Sequence, residues 1–394
     1  MVNFDERIDR SGMNAVKWSK DVLEANFGER DMIPLWVADM DFHVDSHIQK
    51  AVQEMSEHGI YGYSGSNKHN MAFKRWVKDR FDYNIHLNWI LNMPGVVPAI
   101  NLAVQTFTKP GDAVLIQEPV YYPFRMAIEN NGRQVVSNDL VRQESEYVID
   151  FDDFERKVKD DKTKLFILCS PHNPVSRVWR EDELRKMMDL CIKHNVLVLA
   201  DEIHNDLVFK PNQHHILPRL EKSYEDNVVL FMAPSKTFNL AGLQMSHVVI
   251  PNEQLRLQFQ EMQSRIAIGQ PNPFAIVGTI AAYEHGEAWL EALLSYLKGN
   301  LEFVHDYVQK HVPKVKLINH QATYLLWMDF TELGISDKAL QDYIYHEAKV
   351  ALDGGSWFGK SGEGYMRMNL ASPRAMIKEA MDNIYNTLHN NHLI

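Results

Sequence analysis

The chain has 394 residues, 41 Lys and Arg against 52 Asp and Glu, and a formal net charge of −11 with a pI near 5.9, a balance that argues against electrostatic binding to nucleic acid or an anionic membrane. Its length suffices for two domains around a large core, and 45% hydrophobic content is ordinary for a globular protein. Only Cys169 and Cys191 are present, both inside apolar patterns, so no disulfide framework is expected and a reducing cytoplasm is. The start, Met1-Val-Asn-Phe-Asp-Glu-Arg7, lacks a signal peptide's apolar stretch, and no run approaches ~20 apolar residues, so neither export nor a membrane span is expected.

In chain order, Gly95, Val96 and Val97 precede a helix predicted at residues 98–108, where Ile100, Ala103, Val104 and Phe107 recur at helical spacing. Backbone N–H groups at such a start suit a phosphate, although a plain helix start has the same pattern. Lys109-Pro-Gly-Asp112 ends the helix, and Ala113-Val-Leu-Ile116 reads as a short buried strand. Another apolar run, Leu165–Cys169, stops at Ser170-Pro-His-Asn-Pro174. A helix bearing Leu184, Met187, Met188 and Cys191 leads into Val196–Ala200 and then Asp201. Val228–Met232 is followed by Ala233-Pro-Ser-Lys-Thr-Phe-Asn239. Helix-then-strand units of this kind predict an α/β fold with a mainly parallel sheet covered on both faces. In such sheets ligands bind beyond the carboxyl ends of strands, where Asn173, Asp201 and Lys236 all fall. A long helical pattern from Phe274 to about His311, interrupted by Gly286 and Gly299, leads out of this domain. Tyr324–Met328 and Tyr365–Met368 then read as strands, and Ala375–Leu388 as a final helix.

The three residues at strand ends suggest one cofactor. A lysine amine condenses with an aldehyde and later removes a proton from a substrate's Cα, provided burial keeps it from permanent protonation. Lys236 is the candidate. A carboxylate against a pyridine nitrogen keeps that nitrogen protonated, so the ring accepts the electrons left behind; Asp201 fits. Asn173, in a loop fixed by Pro171 and Pro174, would donate an amide N–H to a phenolate oxygen on the ring. Each residue alone has a bland alternative, a chance charge after a strand or an Asn-Pro turn. Together they point to pyridoxal 5'-phosphate.

In order and spacing, Asn173, Asp201 and Lys236 resemble the signature of fold-type I pyridoxal-phosphate enzymes, the class I/II aminotransferase superfamily. Longer strings are similar to its cystathionine β-lyase or cysteine C-S lyase branch: Trp36-Val-Ala-Asp-Met-Asp-Phe42, Tyr121-Tyr-Pro-Phe124, His172-Asn-Pro-Val-Ser-Arg-Val-Trp179, Asp201-Glu-Ile-His204, Ser235-Lys-Thr-Phe-Asn-Leu-Ala-Gly-Leu243 and Ala322-Thr-Tyr-Leu-Leu-Trp327. The resemblance implies a large cofactor-binding domain at 46–280, its sheet sandwiched by helices, and a smaller α+β domain made of 1–45 and 281–394, joined by a long helix beginning near 274. It also implies roles. Gly95, Val96, Val97 and Ser235 would hold the phosphate, Tyr121 would stack on the ring, and Tyr122 would assist proton movement near the substrate. Ala38 would lie beside the substrate, and Arg367, in Tyr-Met-Arg-Met-Asn369, would grip its α-carboxylate bidentately as lysine cannot. Tyr63 would reach the phosphate of a neighbouring subunit, making a homodimer with shared sites necessary for activity.

Departures from the pattern bear on those roles. Ala233 and Gln244 stand where many relatives have a serine and an arginine on the phosphate. His204 replaces a common tyrosine and either shares the phenolate hydrogen bond or fills space. Ser176 replaces a turn glycine. Gly354-Gly-Ser-Trp-Phe-Gly-Lys-Ser361 matches the phosphate loop of nucleotide triphosphatases letter for letter. That motif requires a helix from the Lys-Ser pair, whereas Gly362, Gly364 and a strand-like run follow; Trp357 and Phe358 are expected near the substrate instead. His214 and His215 are adjacent and point apart, so no metal site is expected. The predicted reaction is β-elimination from a sulfur-containing amino acid, releasing thiol, pyruvate and ammonia. An aminotransferase is the alternative, and a cofactor-retaining binding protein a third possibility.

Overall fold

The computed structural model describes residues 3–394. The main sheet has seven strands: β1 (Ile90–Met93), β2 (Ala113–Ile116), β3 (Gln134–Ser137), β4 (Thr163–Cys169), β5 (Leu197–Asp201), β6 (Val228–Met232) and β7 (Ser246–Val249). Their spatial order is β1-β7-β6-β5-β4-β2-β3. From β6 across to β3 neighbours pair in parallel, while β7 runs antiparallel to both β6 and β1. The reversal follows from the link between β6 and β7. The short helix Pro234–Thr237 and the turn Ala241–Leu243 occupy it, so no crossover helix carries the chain back to the sheet's other end. Every residue of β2 and β6 is buried, which is why both read as unbroken apolar runs instead of alternating ones.

The longer helices include α1 (Ser46–His58), α2 (Lys68–Phe81), α3 (Val96–Phe107), α4 (Glu181–Lys193), α5 (Pro273–His285), α6 (Glu287–His311) and α7 (Arg374–Asn390); α3 and α4 lie against the main sheet, α5 packs on α1 and α2, and α7 on α6. Of the two interruptions expected in the helical pattern from Phe274 to His311, the one at Gly286 parts α5 from α6. A Cβ there would lie 2.5 Å from both the Ala282 carbonyl oxygen and the Phe238 ring, so the glycine lets that ring press into the junction. Gly299 does not interrupt α6; its missing side chain makes room for the Arg374 guanidinium, which a Cβ would meet at 2.5 Å.

A smaller antiparallel sheet contains β8 (Lys316–Leu317), β9 (Leu325–Asp329), β10 (Asp353–Gly354) and β11 (Tyr365–Asn369), in the order β8-β9-β11-β10. The N-terminal segment reaches this half of the chain. Ile33–Pro34 pairs in parallel with Val350–Ala351, and the Phe4 ring packs 6.0 Å from Trp289 and 5.3 Å from Tyr296 on α6. Among the described residues no helix is long and apolar enough to cross a membrane.

Candidate active site

A cavity of about 190 Å³ opens where β4, β5 and β6 end. Ala38, Gly95, Val96, Val97 and Tyr121 form part of its wall; Asn173, Asp201, His204, Ser235 and Lys236 approach from the sheet. Tyr122, Arg367 and Tyr63 are not among the lining residues.

Lys236 sits on the short helix that follows β6, and its Nζ donates to the Ala38 carbonyl at 2.7 Å. Burial pushes the amine down to about 8; Asp39 opposes that shift and the Arg367 charge adds to it. An amine of that character is neutral part of the time near neutral pH, as a base at Cα must be. Its turn is locked from behind. Thr237 Oγ1 donates to Asp206 Oδ2 at 2.9 Å, and the same buried carboxylate takes Arg80 Nε at 2.8 Å.

Asp201 is the last residue of β5 rather than the first beyond it, because the strand runs one residue further than its apolar stretch. Its Oδ1 accepts from the Ile203 N–H at 3.1 Å, and its other oxygen has no hydrogen-bond partner among the described residues. Burial pushes the carboxyl up to about 7, with the Ile203 hydrogen bond and Lys236 opposing. A buried acid short of a cationic neighbour is the counterpart that a protonated ring nitrogen would satisfy. His204 lies on the same loop; burial pushes it down to about 3, so it is neutral, and its Nδ1 is buried without a partner.

Asn173 accepts from Arg367 Nη1 at 2.9 Å through its Oδ1, leaving the amide nitrogen as a free donor. Beside it Ser176 adopts φ 56°, the left-handed conformation that a glycine takes without strain. Its hydroxyl offsets that strain by donating to the Leu325 carbonyl at 2.6 Å. Opposite, α3 begins at Val96, two residues earlier than predicted, with Gly95 at φ 144° and no side-chain cap. The first N–H groups of a helix have no partner within it, and Pro98 contributes none, so Val96 and Val97 offer open donors to the cavity. Gln244, in the left-handed conformation, also lines the cavity; Ala233 is buried and does not.

Arg367 adjoins the cavity through Asn173 and is itself buried, with its guanidinium carbon 4.8 Å from the centre of the Phe358 ring. Tyr122 packs edge-on against Trp357 and Phe358, at 6.3 and 6.0 Å. Gly354–Ser361 thus reaches the Arg367 side of the site, but without an α-helix at Lys360-Ser361: Gly355–Phe358 and Lys360–Gly362 are single 3-10 turns around Gly359 at φ 124°. Tyr63 is fully exposed between α1 and α2. His214 pairs with Glu202 at 2.7 Å, and among the described residues no cluster of His, Cys, Asp and Glu could hold a metal ion.

Three residues had no assigned role. Tyr324 Oη donates to the Ala38 carbonyl at 2.8 Å, the acceptor that also holds Lys236. Asp39 acts on the lysine's charge and is bound by Arg10 at 2.9 Å, and Asp353 pairs with Arg367. Tyr324 and Asp39 each lay inside one of the diagnostic strings; nothing local marked Asp353.

The family model for aminotransferase class I and II matches residues 30–384. Cystathionine beta-lyase PatB of Bacillus subtilis is 40% identical across 97% of this chain and 99% of its own length. Protein MalY of Escherichia coli is 32% identical across 98% and 99%. Among solved structures, cystalysin from Treponema denticola, which contains a pyridoxal 5'-phosphate cofactor, superposes with a TM-score of 0.96 at 34% identity, covering 99% of this chain and 100% of that one. The PLP-bound C-S lyase from Staphylococcus hominis gives 0.91 at 32% identity, covering 98% of each chain. On this sequence match and fold, the chain belongs to the class I and II aminotransferase family.

Proposed function

We propose that the protein is a pyridoxal-phosphate-dependent carbon-sulfur lyase that cleaves the Cβ–S bond of sulfur-containing amino acids. The observation that carries this is one small cavity presenting a depressed amine, an under-partnered carboxylic acid and an uncapped helix start: the three groups that an aldehyde, a ring nitrogen and a phosphate require. The relatives that share the whole chain with it are named for cystathionine β-lyase and C-S lyase activity. When bound, pyridoxal phosphate supplies an aldehyde that takes the substrate's amine and a protonated ring that stores the electron pair left at Cα.

The chain's own residues do the rest. Val96, Val97 and Ser235 would hold the phosphate. Asp201, held by Ile203, would keep the ring nitrogen protonated, and Asn173 would donate to the ring oxygen with His204 alongside. Tyr121 provides a ring face to stack on. Lys236 would anchor the aldehyde and is the base placed to take the Cα proton. Arg367 fixes the α-carboxylate near Ala38 and orients Cα–H toward Lys236, while Tyr122 serves proton movement at the mouth. Loss of the β-thiol leaves aminoacrylate, which after release is hydrolysed by one water to pyruvate and ammonia. The site is completed in a homodimer by the exposed Tyr63, reaching a second copy's phosphate. Residues 46–280 form the cofactor domain and the remainder the smaller one. Two free, buried cysteines fit a cytoplasmic setting.

The experiment is incubation with cystathionine or L-cysteine without any keto acid. Pyruvate and thiol form in equal amounts, and Lys236→Ala loses both the turnover and the visible absorbance of the bound cofactor. Amino transfer that needs a keto acid, with no pyruvate, makes the protein an aminotransferase instead.

A further inference from the structure

Arg367 does not present an open fork to a ligand. Its Nη1 donates to Asn173 at 2.9 Å, and its Nη2 donates both to the Trp36 carbonyl at 3.3 Å and to Asp353 Oδ2. Nε is buried without a partner. A guanidinium has five N–H groups, and the parallel pairs that match a carboxylate are Nη1 with Nη2 at the end and Nε with Nη2 along the side. Both pairs include Nη2, whose two hydrogens are already taken. The free donors, Nε and one on Nη1, lie on opposite edges, so an amino acid's carboxylate meets no free fork.

Asp353 is the group that stands in the way. It lies directly across from Arg367 in the pairing of β10 with β11, and both side chains are buried, at 2% and 3% exposure. We propose that Asp353 is a placeholder for the substrate's α-carboxylate: it holds the Nη2 edge of Arg367 in the free enzyme and releases that edge when substrate arrives. The role rests on Arg367 being the carboxylate-binding arginine of the proposed lyase.

The exchange has a proton balance. A released Asp353 is left in a buried site without its cation, and a carboxylate there takes a proton from solvent rather than remain charged. Even with Arg367 opposing, burial already pushes Asp353 up to about 6. The other titratable groups facing it are Tyr121 and Tyr122 from the segment after β2 and Tyr345 from the turn before β10. Burial pushes all three upward, so they stay neutral and offer no replacement charge. Substrate binding therefore takes up a proton, and affinity for carboxylates falls as pH rises above the Asp353 range.

Two measurements on the cofactor-loaded protein test this. The KM for L-cysteine is followed from about pH 6 to about pH 8 in wild type, Asp353→Asn and Arg367→Lys, and proton uptake on binding propionate is read by calorimetry in buffers of different ionisation enthalpy. Wild type shows a KM that rises several-fold over this range and takes up a proton with propionate. In Asp353→Asn the KM is flat and lower at the alkaline end, and no proton is taken up. Proton-neutral binding in wild type overturns the placeholder role without need of any variant. So does an Asp353→Asn enzyme that keeps the slope and has a raised KM throughout, the behaviour of a mere prop. An Arg367→Lys enzyme with unchanged KM instead removes Arg367 from the carboxylate site, a separate failure.

Discussion

Two glycine-bearing segments invite a phosphate, and they differ in what their backbones do. Gly354–Ser361 has the full letter pattern of a nucleotide phosphate loop, yet its turns start no helix. At Gly355 an added Cβ would meet the Gly362 carbonyl oxygen at 2.0 Å, so that glycine serves close packing. Pro94–Val97 has a single glycine and no recognised pattern, but it enters a twelve-residue helix uncapped, with its N–H groups facing the cavity of Asp201 and Lys236. Anions are recognised by converging donors, and a motif is only a proxy for them.

The contrast can be broken most forcefully at Gly95. Valine there must adopt φ 144°, with its Cβ 3.5 Å from Pro98 Cδ. Strain of about 1–3 kcal/mol should weaken cofactor binding on the order of 10- to 100-fold in a titration of the cofactor-free protein. Unchanged affinity would show that α3 does not hold the phosphate. Next in size is Asp201→Asn, followed by the melting temperature of the cofactor-free protein. Because the folded-state carboxyl is raised to about 7 from 3.8, the charged form is penalised by folding, and the penalty grows with pH between those values and is complete above the upper one. The variant should therefore melt higher than wild type at pH 8 and equally at pH 4, while losing activity. A smaller effect is expected from Ser235→Ala: one hydroxyl donor, about 1 kcal/mol, or roughly fivefold in cofactor affinity. The double change Lys360→Ala and Ser361→Ala should do least, leaving cofactor affinity and turnover within about twofold and showing no nucleotide binding before or after. A measurable loss of ATP binding would restore the phosphate-loop assignment.

What was legible in the chain was whatever depended on neighbours in sequence. Asn173, Asp201 and Lys236 each follow an apolar strand, and in a parallel sheet strand ends gather on one edge, so local pattern sufficed to bring them together. Arg367 could be singled out, but Asp353 could not, because its place opposite the arginine is fixed by the register of two strands whose connection is filled with turns. Ala38 was named for the substrate side, but the meeting of its carbonyl with side chains from positions 236 and 324 depends on distant segments in the same way. Gly286 parts two helices and Gly299 does not, although the surrounding patterns are alike, since the difference lies in the distant Phe238 and Arg374. The reversed direction of β7 was equally silent, being set by the form of the preceding link.

The Ala38 carbonyl, shared by Lys236 and Tyr324, is a main-chain atom, and every amino acid carries one. Point replacements at position 38 leave the acceptor in place provided the peptide keeps its course, so random mutagenesis will under-report its importance. Changes that bend the chain itself, such as an inserted residue between Trp36 and Asp41, are the ones to which the lysine's anchorage is vulnerable.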